Sequence, residues 1–276
     1  MKQLHFGTAG TPHSCRERTT IEGIRRVKEL GLGCLEVEFV RGVRMKEETA
    51  KAVNEVRAST GVELSAHGPY YINLNAKEKE KIDASIERIL QTARIAKICG
   101  ASTITFHAGF YLGMEADKTY SVIKSNMRKI VDTLRAEGNN LWIRPETTGK
   151  GTQWGSYEEI VKLSAEMDNV MPCVDFAHVH ARTNVYNTYD EFRKILTHIE
   201  NHLGKKALQN MHIHVAGIEY SEKGERHHLN LNDSDLKYKE MLKAWKDFDI
   251  KGIVICESPN IEEDAMLLQK EYKKIN

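Results

Sequence analysis

Eight short apolar runs alternate with longer amphipathic segments, and this alternation constrains the fold more than any other feature of the chain. The runs are 4–9, 34–39, 62–67, 103–108, 141–146, 171–176, 211–216 and 252–257. The segments between them repeat apolar residues at helical spacing, for example at 80–98 and 189–203. Several predicted helices end in a glycine just before the next run, as at Gly31, Gly61 and Gly100, which is a common helix stop. Strands that alternate with helices predict a parallel sheet.

A closed (β/α)8 barrel fits this pattern better than an open doubly wound sheet. An open sheet normally has a glycine-rich phosphate turn after its first strand, whereas HFGTAGTP at 5–12 lacks the GxGxxG spacing and an immediately following helix. The length of 276 residues is normal for a TIM barrel, and no Pro-, Gly- or Ser-rich linker interrupts the chain. We therefore predict an α/β fold with a single TIM-barrel domain over residues 1–276.

The composition limits the classes of partner and compartment. The formal net charge is only +1, so a polyanionic substrate must be met by a local basic patch or by bound cations. The five cysteines include no CxxC pair, which excludes a cysteine zinc knuckle and favours a reducing compartment. The sequence shows neither a signal peptide nor an apolar run of membrane-spanning length. These features predict a cytoplasmic protein that does not associate with membranes.

Imidazole and carboxylate side chains occur at the ends of six consecutive predicted strands, where a TIM barrel carries its active site. From strand three to strand eight they are His67; His107; Glu146; Asp175 and His178; His212 and His214, followed in their loop by Glu225, His227 and His228; and Glu257. Each histidine alone is more often a hydrogen-bonded rim residue than a ligand. Several carboxylates buried together are costly unless cations lie between them. The whole set therefore predicts a metal centre for zinc, manganese or iron.

The number of candidate ligands bears on the number of ions. A catalytic zinc takes three protein ligands and a water, so eight or nine candidates exceed the needs of one ion and would serve two or three. Clustered cations suit phosphoryl chemistry, because they hold both the attacking and the leaving oxygen.

Six motifs, in the same order along the chain, resemble those of the endonuclease IV family of apurinic/apyrimidinic endonucleases, within the xylose-isomerase-like barrel superfamily. They are AHGPYYINL (66–74), FHAGF (106–110), PETTGKGTQWG (145–155), CVDFAH (173–178), GERHH (224–228) and CESP (256–259). The motifs extend from the third to the eighth predicted strand. The resemblance implies a monomeric zinc-dependent hydrolase that binds double-stranded DNA and cleaves its backbone 5′ to abasic sites.

The resemblance also implies three zinc ions per chain, with Mn2+ as the alternative ion. The implied ligands are His67, His107, Glu146, Asp175, His178, His212 or His214, Glu225, His227 and Glu257. The catalytic candidates are Glu146 and Glu257, which the resemblance implies to position a metal-bridging hydroxide that acts as the nucleophile.

The chain departs from the family pattern in three places. The usual Asp-Arg-His is Glu-Arg-His at 225–227, the usual asparagine after the strand-five glutamate is Thr147, and strand seven offers two histidines. His212 has the family spacing to His227, whereas His214 is followed by the small residues of a strand end. Because residues two apart in a strand face the same way, both remain candidates, with the spacing slightly favouring His212.

Three side chains outside the metal set are candidates for contact with DNA. Tyr70 lies in the predicted loop after strand three, where the family uses an aromatic residue as a wedge in the DNA stack. A tyrosine that only packs on the barrel rim is an equally good interpretation. Arg41 and Arg44 follow strand two and could contact phosphates, although arginines in a loop are usually only solvated.

Two other functions compete with the endonuclease. The first is a single-metal sugar isomerase or epimerase, whose ion would be held by Glu146, Asp175, Glu257 and one strand-seven histidine. This alternative ranks second, because it leaves the histidines of strands three, four and six and of the strand-seven loop without a role. The second is a catalytically inactive binding protein that retains the barrel.

Overall fold

The computed structural model describes residues 2–275, so the predicted domain extends one residue further at each end. Its central sheet has eight parallel strands: β1 Leu4–Ala9, β2 Cys34–Glu38, β3 Glu63–His67, β4 Thr103–Phe106, β5 Trp142–Pro145, β6 Cys173–Asp175, β7 Met211–Val215 and β8 Gly252–Cys256. The strands pair in the order β5-β4-β3-β2-β1-β8-β7-β6. Isolated parallel bridges, Ile143 to Val170 and Glu146 to Cys173, bring the two edges together. The predicted single TIM barrel is confirmed.

Helices follow the strands around the outside of the barrel. In the part of the chain that the structure describes they are α1 Thr20–Glu29, α2 Glu47–Thr60, α3 Lys79–Ile98, α4 Ala116–Ala136, α5 Tyr157–Ala165, α6 Phe176–Thr183, α7 Tyr189–Leu203, α8 Lys205–Leu208, α9 Tyr238–Asp247 and α10 Glu262–Lys274, with a 3-10 turn at Leu231–Asp233. Two small antiparallel sheets lie in the loops: Gly109–Phe110 with Gln153–Trp154, and the hairpin Gly217–Ser221 with Gly224–Leu229.

Local signals explain where several helices begin and end. The Thr19 hydroxyl accepts a hydrogen bond from the Glu22 amide at the start of α1, and Ser156 with Glu159 forms a capping box on α5. Helix α2 stops at Gly61, whose φ of 70° lies in the left-handed region that favours glycine. The sixth strand is shorter than the predicted 171–176, because Asp175 already caps the following helix α6.

The two faces of the sheet bury different kinds of side chain. Between the sheet and the helices lies a continuous apolar core that includes Leu35, Leu64 and Ile104. The barrel interior is mostly polar, whereas branched apolar residues dominate that space in ordinary TIM barrels. Its fully or almost fully buried polar residues include Glu36, Ser65, Thr105, Arg144, Glu146, Asp175, His212 and His214. A small cluster of Cys34, Ile253 and Ile255 is the apolar exception.

No helix within residues 2–275 is both long and apolar enough to cross a membrane. The five cysteines, which the described chain includes in full, are unpaired, and four of them are buried.

Candidate metal centre

The ends of strands β3 to β8 bring histidines and carboxylates into one cluster at the mouth of the barrel. A group deeper in the barrel, Cys173, His212 and His214, has ligand atoms within 4.8 Å of one another, and so do three groups at the mouth. The three groups at the mouth are His67, His107 and Glu146; Glu146, Asp175, His214 and Glu257; and Asp175, His178 and His228. Because the first and second groups share Glu146 and the second and third share Asp175, they form one continuous centre.

Glu146 lies at the middle of this centre. Its Oε2 is 3.1 Å from His67 Nε2, and its Oε1 is 3.2 Å from His178 Nδ1 and 3.4 Å from His214 Nδ1. The side chain is 1% exposed. Burial opposes ionisation, but the surrounding imidazoles, above all His107 and His214, hold the pKa of Glu146 well below its usual range. The site therefore holds an ionised carboxylate whose two oxygens face different imidazoles.

Asp175 caps the N-terminus of helix α6 and also belongs to the centre. Its Oδ1 accepts the backbone N–H of His178 at 2.7 Å, which fixes His178 in the first turn of α6, while Oδ2 lies 3.3 Å from His178 Nδ1. The Thr147 hydroxyl accepts the N–H of Asp175 at 2.8 Å and donates to its carbonyl at 3.1 Å. This threonine, one of the departures from the family pattern, thus fixes the backbone of Asp175.

His178 and His228 face each other with their Nε2 atoms 3.3 Å apart. His228 Nδ1 lies 3.2 Å from the Glu257 carbonyl and His178 Nδ1 lies 3.1 Å from the Thr147 carbonyl, so each ring has an acceptor for its Nδ1 proton. In neutral rings both Nε2 lone pairs would then point at each other. Glu225 Oε2 is 3.6 Å from His178 Nε2. A cation between the two rings, either a proton or a metal ion, would relieve this repulsion, and Asp175, His178 and His228 are placed to hold a metal ion there.

Other members of the centre are oriented by backbone or by burial. His67 Nδ1 contacts the Gly68 carbonyl at 2.7 Å, which leaves Nε2 for Glu146. Burial lowers the pKa of His107 to about 4, so this ring is neutral at physiological pH. Burial, despite the opposing effect of His214, raises the pKa of Glu257, whose Oε1 is 3.4 Å from His214 Nδ1.

Several buried atoms of the centre lack hydrogen-bond partners among the described residues. They are Glu146 Oε1, Asp175 Oδ2, His107 Nδ1 and His214 Nδ1. An unpaired buried polar atom costs about 1–3 kcal/mol, so native proteins rarely concentrate them without a ligand. Nitrogen and carboxylate donors at these positions suit zinc or manganese. The residues present therefore fit divalent cations, and the structure supports the predicted metal-binding groups.

Of the two strand-seven histidines, the structure brings His214 to the centre. His212 lies one layer deeper in the barrel and is fully buried, with its Nε2 3.0 Å from Glu36 Oε2. The slight preference for His212, which rested on spacing, is therefore not supported by its position. The reason is that side chains two residues apart share a face but differ in depth by about 6–7 Å along the strand.

His227 lies outside the centre, contrary to the implied ligand set. Its side chain is 59% exposed and its Nε2 is 3.1 Å from Glu219 Oε2. In the hairpin after β7, Tyr220 pairs with Glu225 and Glu219 pairs with His227, so the register shifts at Arg226. Such a β-bulge reverses the alternation of faces. As a result His228, which pairs with Ile218, shares the inner face with Glu225 and takes the position predicted for His227.

The loop after β5 supports Glu225 from the side. The Glu225 amide donates to the Gly149 carbonyl at 2.9 Å. A Cβ on Gly149 would lie 2.6 Å from the Glu225 side chain, so only glycine permits this approach. Arg182 donates to the carbonyls of Lys150 and Gln153, which orders the same loop.

The predicted DNA-contacting residues lie on the rim of the mouth. Tyr70 is 68% exposed and borders a cavity of about 440 Å3 that is also lined by His67, His107, His178, His228 and Glu257 of the metal-binding groups. Arg41 and Arg44 are exposed and, together with Arg18, line an adjoining cavity of about 490 Å3. The structure thus brings Tyr70 and the arginine pair to the same face as the metal-binding groups.

Two glutamates of β2, the buried Glu36 and the half-buried Glu38, were missed by the sequence analysis. Glu36 lies between His214 and His212, whose imidazoles hold its pKa well below the usual range despite burial. Glu38 also borders the metal-binding cavity, and burial raises its pKa to about 8. The signal was present in CLEVEF, because glutamates at alternate positions of an otherwise apolar strand place two carboxylates on one face.

Comparison with known proteins gives one family and several relatives. The family model for the xylose isomerase-like TIM barrel matches residues 24–274. An uncharacterized protein of Methanocaldococcus jannaschii is 49% identical over 273 residues, which cover 99% of this chain and 98% of that protein.

Among solved structures, endonuclease IV from Thermus thermophilus has a TM-score of 0.74 at 18% identity, covering 99% of this chain and 98% of that one. A D-tagatose 3-epimerase-like protein also has a TM-score of 0.74, at 17% identity, covering 98% of this chain and 97% of that one. At these identities the structural likeness shows the fold alone, and the two neighbours have different activities.

Proposed function

The chain belongs to the family of xylose isomerase-like TIM barrels, and on this premise we propose that it is a metal-dependent endonuclease that hydrolyses DNA 5′ to abasic sites. The proposal includes zinc as the metal, about three ions per chain, and double-stranded DNA as the partner.

One observation carries this proposal: the mouth presents three overlapping metal-binding groups rather than one. A single-metal sugar enzyme needs only the group of Glu146, Asp175, His214 and Glu257. The imidazoles of His67, His107, His178 and His228 would then be buried or half-buried at the mouth without function. Divalent cations in neighbouring groups would supply Lewis-acid stabilisation and activate water for attack on a phosphodiester.

The residues of the mouth have distinct roles in this proposal. Glu146 and Glu257 each direct an oxygen to within 3.4 Å of His214 Nδ1, so they flank the space in which a nucleophilic water would be oriented. Exposed Tyr70 would fill the gap left by an extruded abasic sugar, which has no base to unstack. Arg41 and Arg44 would contact backbone phosphates, which fix register without reading sequence.

A sugar epimerase is the second candidate, and a specific observation favours it. Glu146, Asp175, His214 and Glu257 form a complete four-ligand group by themselves. The epimerase-like neighbour also matches the fold as well as the endonuclease neighbour does.

The test counts metals and measures two activities on the same preparation. We expect about three zinc ions per chain by elemental analysis, and incision 5′ to the lesion in a duplex that contains one abasic site. A chelator and Glu257→Gln should each abolish incision, whereas His227→Gln, a variant of the solvent-facing histidine, should not. One ion per chain with epimerisation of a ketose would replace the proposal by the second candidate. Bound metal without either activity would leave a binding protein.

A further inference from the structure

Glu36 is a fully buried carboxylate in the middle of β2, and its two oxygens face two histidines of β7 across the barrel interior. Its Oε1 lies 2.8 Å from His214 Nε2, and its Oε2 lies 3.0 Å from His212 Nε2. All three side chains are 0% exposed. Strands β2 and β7 are separated by β1 and β8 in the sheet, so the contact crosses the interior and does not follow from strand pairing.

We infer that Glu36 is a positioning residue that holds the His214 ring with its Nδ1 directed into the metal centre. This inference rests on the proposed metal centre and applies equally to a hydrolase and to an epimerase. No comparison assigns a role to this residue.

The argument follows from what a carboxylate accepts. An ionised carboxylate has no proton to donate, so the nitrogen that faces it must carry one. A neutral imidazole with its proton on Nε2 has its lone pair on Nδ1. His214 Nδ1 points toward Glu146 and Glu257, each with an oxygen 3.4 Å away, whereas the His214 Nε2 atom is closer to its carboxylate, at 2.8 Å from Glu36 Oε1. Metal-binding histidines commonly direct their second nitrogen at a carboxylate, which fixes the tautomer and the ring orientation.

His212 provides the internal comparison. It contacts the other oxygen of Glu36, but its Nδ1 does not approach the carboxylates of the mouth. His212 therefore occupies the second oxygen of Glu36 and helps to fix the carboxylate, whereas His214 links the carboxylate to the centre.

Glu36→Gln tests the inference, because glutamine is nearly isosteric but neutral. One side of its amide donates, so at least one of the two rings must change its tautomer or lose its contact. Glu36→Met removes both acceptor atoms. We expect zinc affinity, measured by competition with a chromophoric chelator, to fall about 10–100-fold in Glu36→Gln and at least as far in Glu36→Met.

The matched control is Glu262→Gln. Glu262 is another buried glutamate, and it accepts two backbone N–H groups, from His13 at 2.9 Å and Ser14 at 2.8 Å, outside the metal-binding groups. Its substitution should leave zinc affinity within about twofold of the wild-type value, so a general loss of stability can be separated from a loss of positioning.

Imidazole 15N NMR of the zinc-loaded full-length protein gives a second readout, with the His214 signals identified by His214→Gln. We expect a coordinated Nδ1 and a protonated Nε2 in the wild type, and Nε2–H signal loss or shift in both Glu36 variants. Coordination of His214 through Nε2, or unchanged affinity in both variants, would overturn the inference while leaving the metal centre intact. A wild-type protein that binds no zinc would overturn the proposed function as well.

Discussion

Arg144 lies in β5 and Glu146 directly follows this strand, two residues further on, and both are almost fully buried, yet their surroundings differ. The Arg144 guanidinium donates to Thr103 Oγ1 at 2.9 Å, to the Pro172 carbonyl at 3.0 Å and to the Asn210 carbonyl at 2.8 Å. Glu146, in contrast, is surrounded by imidazoles and has one oxygen without a hydrogen-bond partner among the described residues.

The difference separates a structural charge from a binding charge. The buried Arg144 guanidinium is stabilised by hydrogen bonds to neutral oxygens, which connect β5 to β4 and to the starts of β6 and β7. The fold itself therefore supplies its hydrogen-bond partners. Burial lowers its pKa to about 10, which still leaves it charged at neutral pH. The Glu146 carboxylate, in contrast, has an oxygen for which the described residues supply no hydrogen-bond donor. A buried charge that the fold leaves incompletely paired therefore indicates where a ligand binds.

The largest effect is expected from Glu146→Gln. This change removes the carboxylate shared by two metal-binding groups, so the activity should fall on the order of 10^3-fold or more, which corresponds to about 4 kcal/mol. Incision of an abasic duplex and zinc content measure it. Retention of full zinc content and activity would show that Glu146 and Arg144 do not differ in the way described.

Arg144→Met should produce the opposite pattern. The substitution leaves the Pro172 and Asn210 carbonyls buried without their donor, so the free energy of unfolding should fall by about 3 kcal/mol. Urea denaturation of the metal-free protein measures this loss. Zinc affinity of the folded protein should stay within about twofold, and a much larger fall in affinity would place Arg144 in the binding region too.

The hairpin allows the same comparison between neighbouring residues. His228→Gln should weaken zinc binding by roughly tenfold or more, because His228 Nε2 lies 3.3 Å from His178 Nε2 inside a metal-binding group. His227→Gln should change it less than twofold, because that side chain is mostly exposed and pairs with Glu219. Equal effects of the two substitutions would contradict the bulged register.

The smallest effect is expected at Glu262, a buried carboxylate that the fold does satisfy. Burial opposes its charge, but N–H donors of His13 and Ser14 outweigh this and lower the pKa of Glu262. A folded-state pKa below the unfolded value adds stability above the unfolded pKa, and that stability is lost as the pH falls through the folded value. Glu262→Gln should therefore cost about 1 kcal/mol at pH 7 and progressively less below pH 4.5. Denaturation of both proteins across this pH range measures the difference, which should not grow on acidification.

Much of the fold could be predicted from the sequence, because strand and helix periodicities are local properties. All eight predicted strands are present, and six strand ends meet at one mouth because parallel strands of a barrel must end on the same side. The motif order also indicated Glu146, Asp175, His178 and Glu257 at that mouth. Glu36 and Glu38 were missed because their alternate positions in CLEVEF place both carboxylates on one face of the strand but do not show that this face lines the barrel interior.

The sequence by itself determined the barrel, the end that carries the polar residues and the chemical types of the ligands, since each depends on periodicity or on residue identity. Only the tertiary structure decided which of two histidines reaches the centre. His214 rather than His212 does so because depth along a strand is set by packing across the barrel, and His228 rather than His227 because a bulge at Arg226 reverses the alternation of faces. Both outcomes depend on the geometry of the folded strands, which the amino-acid sequence does not show directly.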